Sequence, residues 1–295
     1  MSALPRILMP LLLIGAAPVQ DPDWSDAIAE WTTPMEPFRI AGNVHYVGTG
    51  GISAYLITGP EGHVLIDGAL PQSAGAIAAH IRALGFRVED VRYILINHAH
   101  FDHSGGLAEL KRLTGAKLLA SAADKPDLEA GRTIGRDDLL GFPAVAVDRV
   151  IADGEHVRLA GIDLTVHATP GHTPGCTSWS MRVAEGGRPL DVVFTCSITV
   201  AGQKLVGNAG YPDAADDFRR SFATLRRLRA DIFLSFHPTV FGMEEKRRRL
   251  LAGDPLAFVD AKELGRVVDA AEAGFKKELA EQRAKAAEAS APARR

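Results

Sequence analysis

Three imidazoles and one carboxylate fall within six residues of this chain, in His98-Ala99-His100-Phe101-Asp102-His103. Histidine nitrogens and carboxylate oxygens are ordinary zinc ligands. Four such groups on so short a loop cannot all converge on one small ion, but they can divide into two sets. The spacing therefore predicts two metal ions side by side. The motif follows the apolar run Val91 to Ile96 and precedes Ser104-Gly105-Gly106. That order reads as a buried strand, a ligand-bearing loop and a helix start.

Two further histidines stand where a ligand could be presented. His172 lies in Thr169-Pro170-Gly171-His172-Thr173-Pro174-Gly175, where proline and glycine fix the backbone around one imidazole. His237 ends the apolar run Ile232 to Phe236 and precedes Pro238. With the loop, they make five histidines and one aspartate, the complement for two ions with three protein ligands each. Three ligands leave a zinc position open for water, as catalysis requires. The other histidines, His45, His63, His80, His156 and His167, read as surface or satisfied core residues. Asp67 ends the run His63-Val64-Leu65-Ile66. Its carboxylate could accept the free N–H of a ligating imidazole, or it could serve only as a turn residue at a strand end.

The elements that must position these groups are short. Strands are predicted at Phe38 to Ile40, Asn43 to Gly48, Ile52 to Thr58, His63 to Asp67, Val91 to Ile96 and Lys117 to Ala120. A second series runs Val147 to Ile151, Glu155 to Leu159, Leu164 to Ala168, Thr177 to Val183, Leu190 to Thr195 and Ile232 to Phe236. Helical spacing marks Gln72 to Leu84, Gly106 to Leu113, Ala122 to Glu129, Asp213 to Leu228, Glu244 to Leu251 and Ala261 to Ala287. Runs of strands capped by helices, occurring twice, predict two sheets packed face to face with helices outside.

Composition narrows the partners. With 33 basic and 36 acidic residues the net charge is -3, which leaves no electrostatic footprint for nucleic acid or an anionic membrane. Arg6, the apolar run Ile7 to Ala17 and the small residues Gly15-Ala16-Ala17 read as a secretory signal peptide over residues 1–19. A bilayer span needs roughly 20 apolar residues, and this run is too short. Residues 20–287 are expected to form one domain, and the Ala/Ser/Pro/Arg-rich residues 288–295 a flexible tail. Export would place Cys176 and Cys196 in an oxidising compartment, where they could pair; one of them could instead be a thiolate ligand.

The pattern His98-x-His100-x-Asp102-His103, followed by His172 and His237, resembles the metallo-β-lactamase superfamily from Pro34 to about Phe241. The resemblance implies an α+β fold, a four-layer αββα sandwich with a di-metal site at one edge of its two sheets. It also implies two zinc ions (Zn2+), one held by His98, His100 and His172, the other by Asp102, His103 and His237. Most hydrolases of that superfamily, glyoxalase II-like enzymes, lactonases and phosphodiesterases among them, place a bridging aspartate after the strand that follows the third histidine. Here that stretch is Val193-Phe194-Thr195-Cys196-Ser197, and Ser197 stands where the aspartate would be. True metallo-β-lactamases lack that aspartate. His103 and Ser197 resemble their third subclass, as do Ala201-Gly202, Leu205, Gly207-Asn208, Tyr211-Pro212 and Asp217 to Ala223. Asn97 departs from the threonine usual before the first histidine, which bears on hydrogen bonds to the ligands more than on metal count.

What the resemblance implies is a zinc-dependent β-lactamase, a hydrolase that opens the cyclic amide of penicillins, cephalosporins and carbapenems with a zinc-bound hydroxide and so confers antibiotic resistance. Asp102 would orient that hydroxide. Ser197 and Thr199 would hydrogen-bond the substrate carboxylate or an ordered water. The alternative is another hydrolase of the superfamily, a lactonase or phosphodiesterase, with promiscuous β-lactamase activity. Cys196 lies one residue from the position at which other subclasses carry a cysteine ligand, and a one-residue shift turns a side chain to the other face. With the bridge that some members carry in these regions, this favours a Cys176–Cys196 disulfide. A periplasmic monomer is expected, with a small-molecule β-lactam substrate, no nucleic acid and no membrane contact after signal cleavage. Trp31 and Phe38 read either as flanking the cleft or as anchoring the N-terminal arm.

Overall fold

Short apolar runs broken by glycine and proline fold here as two mixed sheets laid face to face. The structure, a computed structural model, describes residues 23–290. In the first sheet, β1 (Phe38–Ala41), β2 (Val44–Tyr46), β3 (Tyr55–Gly59) and β4 (Gly62–Ile66) form an antiparallel meander. The parallel strands β5 (Val91–Leu95), β6 (Lys117–Ser121) and β7 (Arg149–Ile151) extend it in sequence order. The second sheet comprises β8 (His156–Leu159), β9 (Ile162–Ala168), β10 (Thr177–Glu185), β11 (Arg188–Thr195) and β12 (Ile232–Ser235). Its strands are antiparallel except for the parallel pair β11–β12.

The first sheet is covered on both faces, and its strands alternate between two cores accordingly. Tyr55, Ile57, Val64, Ile66, Leu95 and Leu119 point into the space between the sheets, around the fully buried Trp179. Leu56, Leu65, Ile94 and Leu118 point the other way, toward helices α2 (Ala74–Ala83) and α4 (Leu107–Thr114). Truncating a side chain as large as Trp179 to alanine costs about 3–5 kcal/mol. On the far side, Phe218 and Phe222 of α6 (Ala214–Leu225) pack on Phe275 of α8 (Glu263–Ser290). Arg226 adds ion pairs to Asp269 and Glu272. The remaining helices are α5 (Lys125–Ala130) and α7 (Met243–Leu251).

The parallel strands matter most for function. β4, β5, β11 and β12 all end at one edge of the sandwich, and the loops that leave their carboxyl ends converge there, the usual place for a ligand site in such sheets.

The α+β, αββα arrangement matches the expectation, with three local differences. A helix α1 (Ser25–Trp31), which no periodicity announced, precedes β1. The helix expected from Gly106 is preceded by a one-turn helix, α3 (Phe101–Ser104), inside the histidine motif itself. The C-terminal helix runs to Ser290, past Glu288, where the tail was expected to begin. The signal peptide at residues 1–19 lies outside the described residues. Among the described residues no helix is long and apolar enough to cross a membrane.

Candidate metal centre

The motif can serve two candidate ligand sets because its backbone changes conformation part-way along. His98 and His100 lie between β5 and α3, with His100 extended (φ -94°, ψ 155°) and the two ring centroids 4.6 Å apart. Residues two apart on extended backbone share a face. Asp102 and His103 lie on the turn of α3 and point elsewhere. Behind them, Gly106 lies against the chain after β4: a Cβ there would fall 2.2 Å from the carbonyl oxygen of Gly68. Gly106 is therefore what lets the start of α4 approach the turn that follows Asp67.

His172 joins His98 and His100, and its Nε2 is 3.1 Å from His100 Nδ1. The His98 ring centroid is 4.6 Å from each of the other two. In the second set, Asp102 Oδ2 is 3.2 Å from His103 Nε2 and 3.4 Å from His237 Nε2. In both sets, one ligand atom from each residue lies within 4.8 Å of the others. The rings of His98 and His103 are 4.4 Å apart, so the two sets adjoin. All six sequence-predicted ligands thus meet, five of them buried and His237 partly exposed.

Outer hydrogen bonds orient the rings. His172 Nδ1–H donates to the carbonyl of Thr199 at 2.8 Å, which leaves Nε2 free to ligate. His103 Nδ1–H donates to Asp67 Oδ2 at 2.9 Å. The Asn97 amide lies between Asp67 and His98, its nitrogen donating to Asp67 Oδ2 and its oxygen meeting His98 Nδ1. The residues fit a metal on one further observation: Nε2 of His98 is buried without a hydrogen-bond partner, and Nε2 of His103 is buried with only the Asp102 carboxylate near it. Buried polar atoms are rarely orphaned, and a cation would satisfy both.

The electrostatics agree. Burial, reinforced by the other imidazoles, holds His98 and His100 well below the usual histidine range, and burial takes His172 down to about 4. Neutral imidazoles are what a metal ion needs. Burial also opposes the charged forms of Asp102 and His103, but their attraction for each other overrides it. Asp102 is held well below the carboxylate range, and His103, between Asp102 and Asp67, is pushed up to about 10. Positive charge is favoured at that point, which suits a divalent cation.

Above the ligands opens a cavity of about 500 Å³. Trp24, Trp31, Phe101, Leu139, Ile198 and Val240 give it apolar walls, and Ser197 and Thr199 lie on its lining with their hydroxyls 3.0 Å apart. Trp31 flanks the cleft, whereas Phe38 stacks on Tyr46 inside the core. Trp24 was not anticipated, although its seven-residue spacing from Trp31 places both on one helix face. Arg136 and Asp138, an ion pair at 2.7 Å on the cavity wall, were also missed. Cys176 and Cys196 are bridged, with Cα atoms 5.9 Å apart. The remaining histidines lie elsewhere: His45 and His63 against Phe86, His80 on the Val47 carbonyl, His156 beside Asp163 and His167 beside Ser180.

Comparison with known proteins places this arrangement. Residues 47–237 match the family model described as the metallo-beta-lactamase superfamily. The fold matches the crystal structure of BJP-1, a subclass B3 metallo-β-lactamase of Bradyrhizobium japonicum, with a TM-score of 0.84 and 46% identity, covering 88% of this chain and 99% of that one. Among curated proteins, the chain is 34% identical over 138 residues to a hydroxyacylglutathione hydrolase of Anaeromyxobacter dehalogenans, covering 45% of this chain and 44% of that protein. It is 27% identical over 201 residues to the N-acyl homoserine lactonase AttM of Azorhizobium caulinodans, covering 59% and 75%. The chain spans about half the length, or less, of the first curated relatives it matches. By sequence and by fold it belongs to the metallo-β-lactamase superfamily, as a hydrolase whose structural neighbours are subclass B3 enzymes.

Proposed function

We propose that this chain is an exported β-lactamase that uses two zinc ions to open penicillins, cephalosporins and carbapenems. The observation that carries the reading is the pair of adjoining three-ligand sets beneath a cavity that meets a hydroxyl, Ser197, beyond the end of β11. His98, His100 and His172 would hold one ion, and Asp102, His103 and His237 the other. Zinc bound there would supply a water acidic enough to attack near neutral pH and a Lewis acid for the carbonyl oxygen.

The chain's own groups supply the rest. Asp102, buried and held ionised, can accept a hydrogen bond from the attacking water and so aim it. Ser197 and Thr199, with hydroxyls 3.0 Å apart, can donate to the carboxylate that a bicyclic β-lactam carries beside its ring nitrogen. The tryptophans and Phe101 can hold the apolar substituents and keep bulk water out. Both ligand sets come from one chain, so a monomer is sufficient. The leader-like residues 1–19 and the disulfide support a periplasmic location.

A second reading, a lactonase with side activity on β-lactams, is favoured by the likeness to AttM. Purified zinc-loaded protein separates the two. Carbapenem opening, followed by absorbance, is expected to stop on adding a chelator and to exceed the hydrolysis of an acyl-homoserine lactone or a phosphodiester. Absence of chelator-sensitive turnover on any β-lactam sinks the proposal; fast lactone opening beside slow carbapenem opening favours the second reading.

A further inference from the structure

Asp67 is anchored on several sides. Its N–H donates to the Leu95 carbonyl at 2.9 Å, and the next N–H, of Gly68, donates to the His103 carbonyl at 3.0 Å. Its Oδ1 accepts from the Ala69 N–H at 2.7 Å. Asp67 and Ala69 both take left-handed backbone (φ 79° and 51°), uncommon for residues with a Cβ. Such conformations persist where the surroundings fix them, often beside functional sites. The remaining oxygen, Oδ2, faces the candidate metal centre. It accepts from His103 Nδ1–H of one ligand set and from the side-chain nitrogen of Asn97.

The second of these contacts determines how Asn97 is turned. A carboxylate oxygen accepts and does not donate, so the amide NH2 must face Asp67 and the amide oxygen must face His98. That oxygen also only accepts, so His98 must carry its proton on Nδ1. The lone pair is then on Nε2, the nitrogen that lies buried without a partner in the first ligand set. The geometry points to Asn97 as a positioning residue: through it, one buried carboxylate fixes a histidine in each ligand set, His103 directly and His98 by relay. A leucine at 97 would fill the same space and make neither bond. This rests on the metal-binding part of the proposed function and is independent of the substrate.

The first measurement is the tautomer of His98 in metal-free protein at pH 8, by long-range 1H–15N correlation of the imidazoles. The Nδ1–H form is expected, and Asn97→Leu should release it into a mixture. An Nε2–H form in the wild type overturns the relay. The second is zinc affinity by competition with a chromophoric chelator, in two backgrounds that each keep one ligand set complete. In His237→Ala, adding Asn97→Leu should weaken zinc binding by about 10–100-fold, the usual effect of removing a partner of a ligating histidine. In His172→Ala, adding Asp67→Ala should weaken it similarly while Asn97→Leu changes it far less. An unchanged affinity on adding Asn97→Leu to His237→Ala refutes the inference. A chain that behaves as expected here yet opens no β-lactam would remove the proposed substrate and leave the relay standing.

Discussion

The Trp31 indole lies against the His237 imidazole, ring centroids 5.7 Å apart and planes inclined by 59°. His237 is the most exposed of the predicted ligands, and the indole lies against it on the cavity wall. Trp31 is itself held by Trp24 and Phe101, each at 5.9 Å, and its carbonyl accepts from the Thr49 hydroxyl. Trp31→Ala is therefore expected to remove an apolar wall without disturbing a ligand. The outcome is a KM raised about tenfold, equivalent to about 1.4 kcal/mol of binding, with kcat little changed, because wall contacts hold ground and transition states alike. Steady-state kinetics on a carbapenem check it. A fall in kcat at unchanged KM would instead assign Trp31 to the placement of His237.

Asp124 is buried between the two ligand loops, close enough to Gly175 that a Cβ there would fall 2.3 Å from its carboxyl. Burial, with Asp127 beside it, pushes that carboxyl up to about 7, against the Thr173 hydroxyl and the N–H groups of Ala99 and Gly175. In the unfolded chain an aspartate titrates near 3.9. Between about pH 4 and pH 7 the folded chain thus keeps a proton that the unfolded chain has lost, so stability falls as pH rises through that window. The drop is on the order of 4 kcal/mol at about 1.4 kcal/mol per unit, and Asp127, raised to about 6, adds to it with the same sign. Asp124→Asn should lack most of this loss. Urea denaturation with excess chelator, from pH 4 to pH 8, should show the variant gaining steadily on the wild type. Parallel curves would mean that Asp124 is ionised in the folded chain at neutral pH.

The strands, their division into two series and the candidate ligands were legible in the sequence because each leaves a local mark. Apolar runs of strand length stop at glycine or proline, and the ligands are compressed into one six-residue motif and two rigid loop positions. What was not legible depends on tertiary context. Helix α1 is seven residues long and none of them is buried, so no periodic core face announces it; its use lies in Trp31 and in Trp24 at its N-cap, which both line the cavity. Phe38 and Trp31 look alike as aromatic residues near the N-terminal end of the domain, yet one is core and the other cleft, a difference decided by β1 pairing with β2. The role of Asp67 could not be separated from that of a turn residue, and it has both: left-handed backbone at the strand end and a carboxylate that accepts from His103. Arg136 reads as a loop charge until the fold brings it to Gln203 and to the carbonyl of Ala201.

The Cys176–Cys196 bridge closes a sequence separation of 20 residues. In the chain-entropy account, a loop of that size stabilises the fold by about 3 kcal/mol. The double variant Cys176→Ser, Cys196→Ser should lose about that much in urea denaturation. It should also loosen the floor of the first ligand set, because Cys196 Sγ lies 3.6 Å from His98 Nδ1. A variant as stable as the wild type would show that the β10–β11 packing already confines these segments without the bond.

Two glycines separate close approach from mere flexibility. At Gly106 an added Cβ would meet the Gly68 carbonyl oxygen at 2.2 Å, which is backbone and cannot rotate away. Gly106→Ala should therefore destabilise the fold by at least the 1–3 kcal/mol typical of overpacking, about the upper end or beyond. By pushing α4 off the turn after β4, it should also lower zinc affinity through Asp67. At Gly274, exposed within α8, an added Cβ meets nothing within 4 Å. There alanine relieves the helix of its most flexible residue, and Gly274→Ala should stabilise by about 0.5–1 kcal/mol. Both variants are read in the same denaturation series. The opposite signs are the expectation, and a Gly106→Ala chain that keeps wild-type stability and zinc affinity would contradict the tight seating of α4 against the turn that follows Asp67.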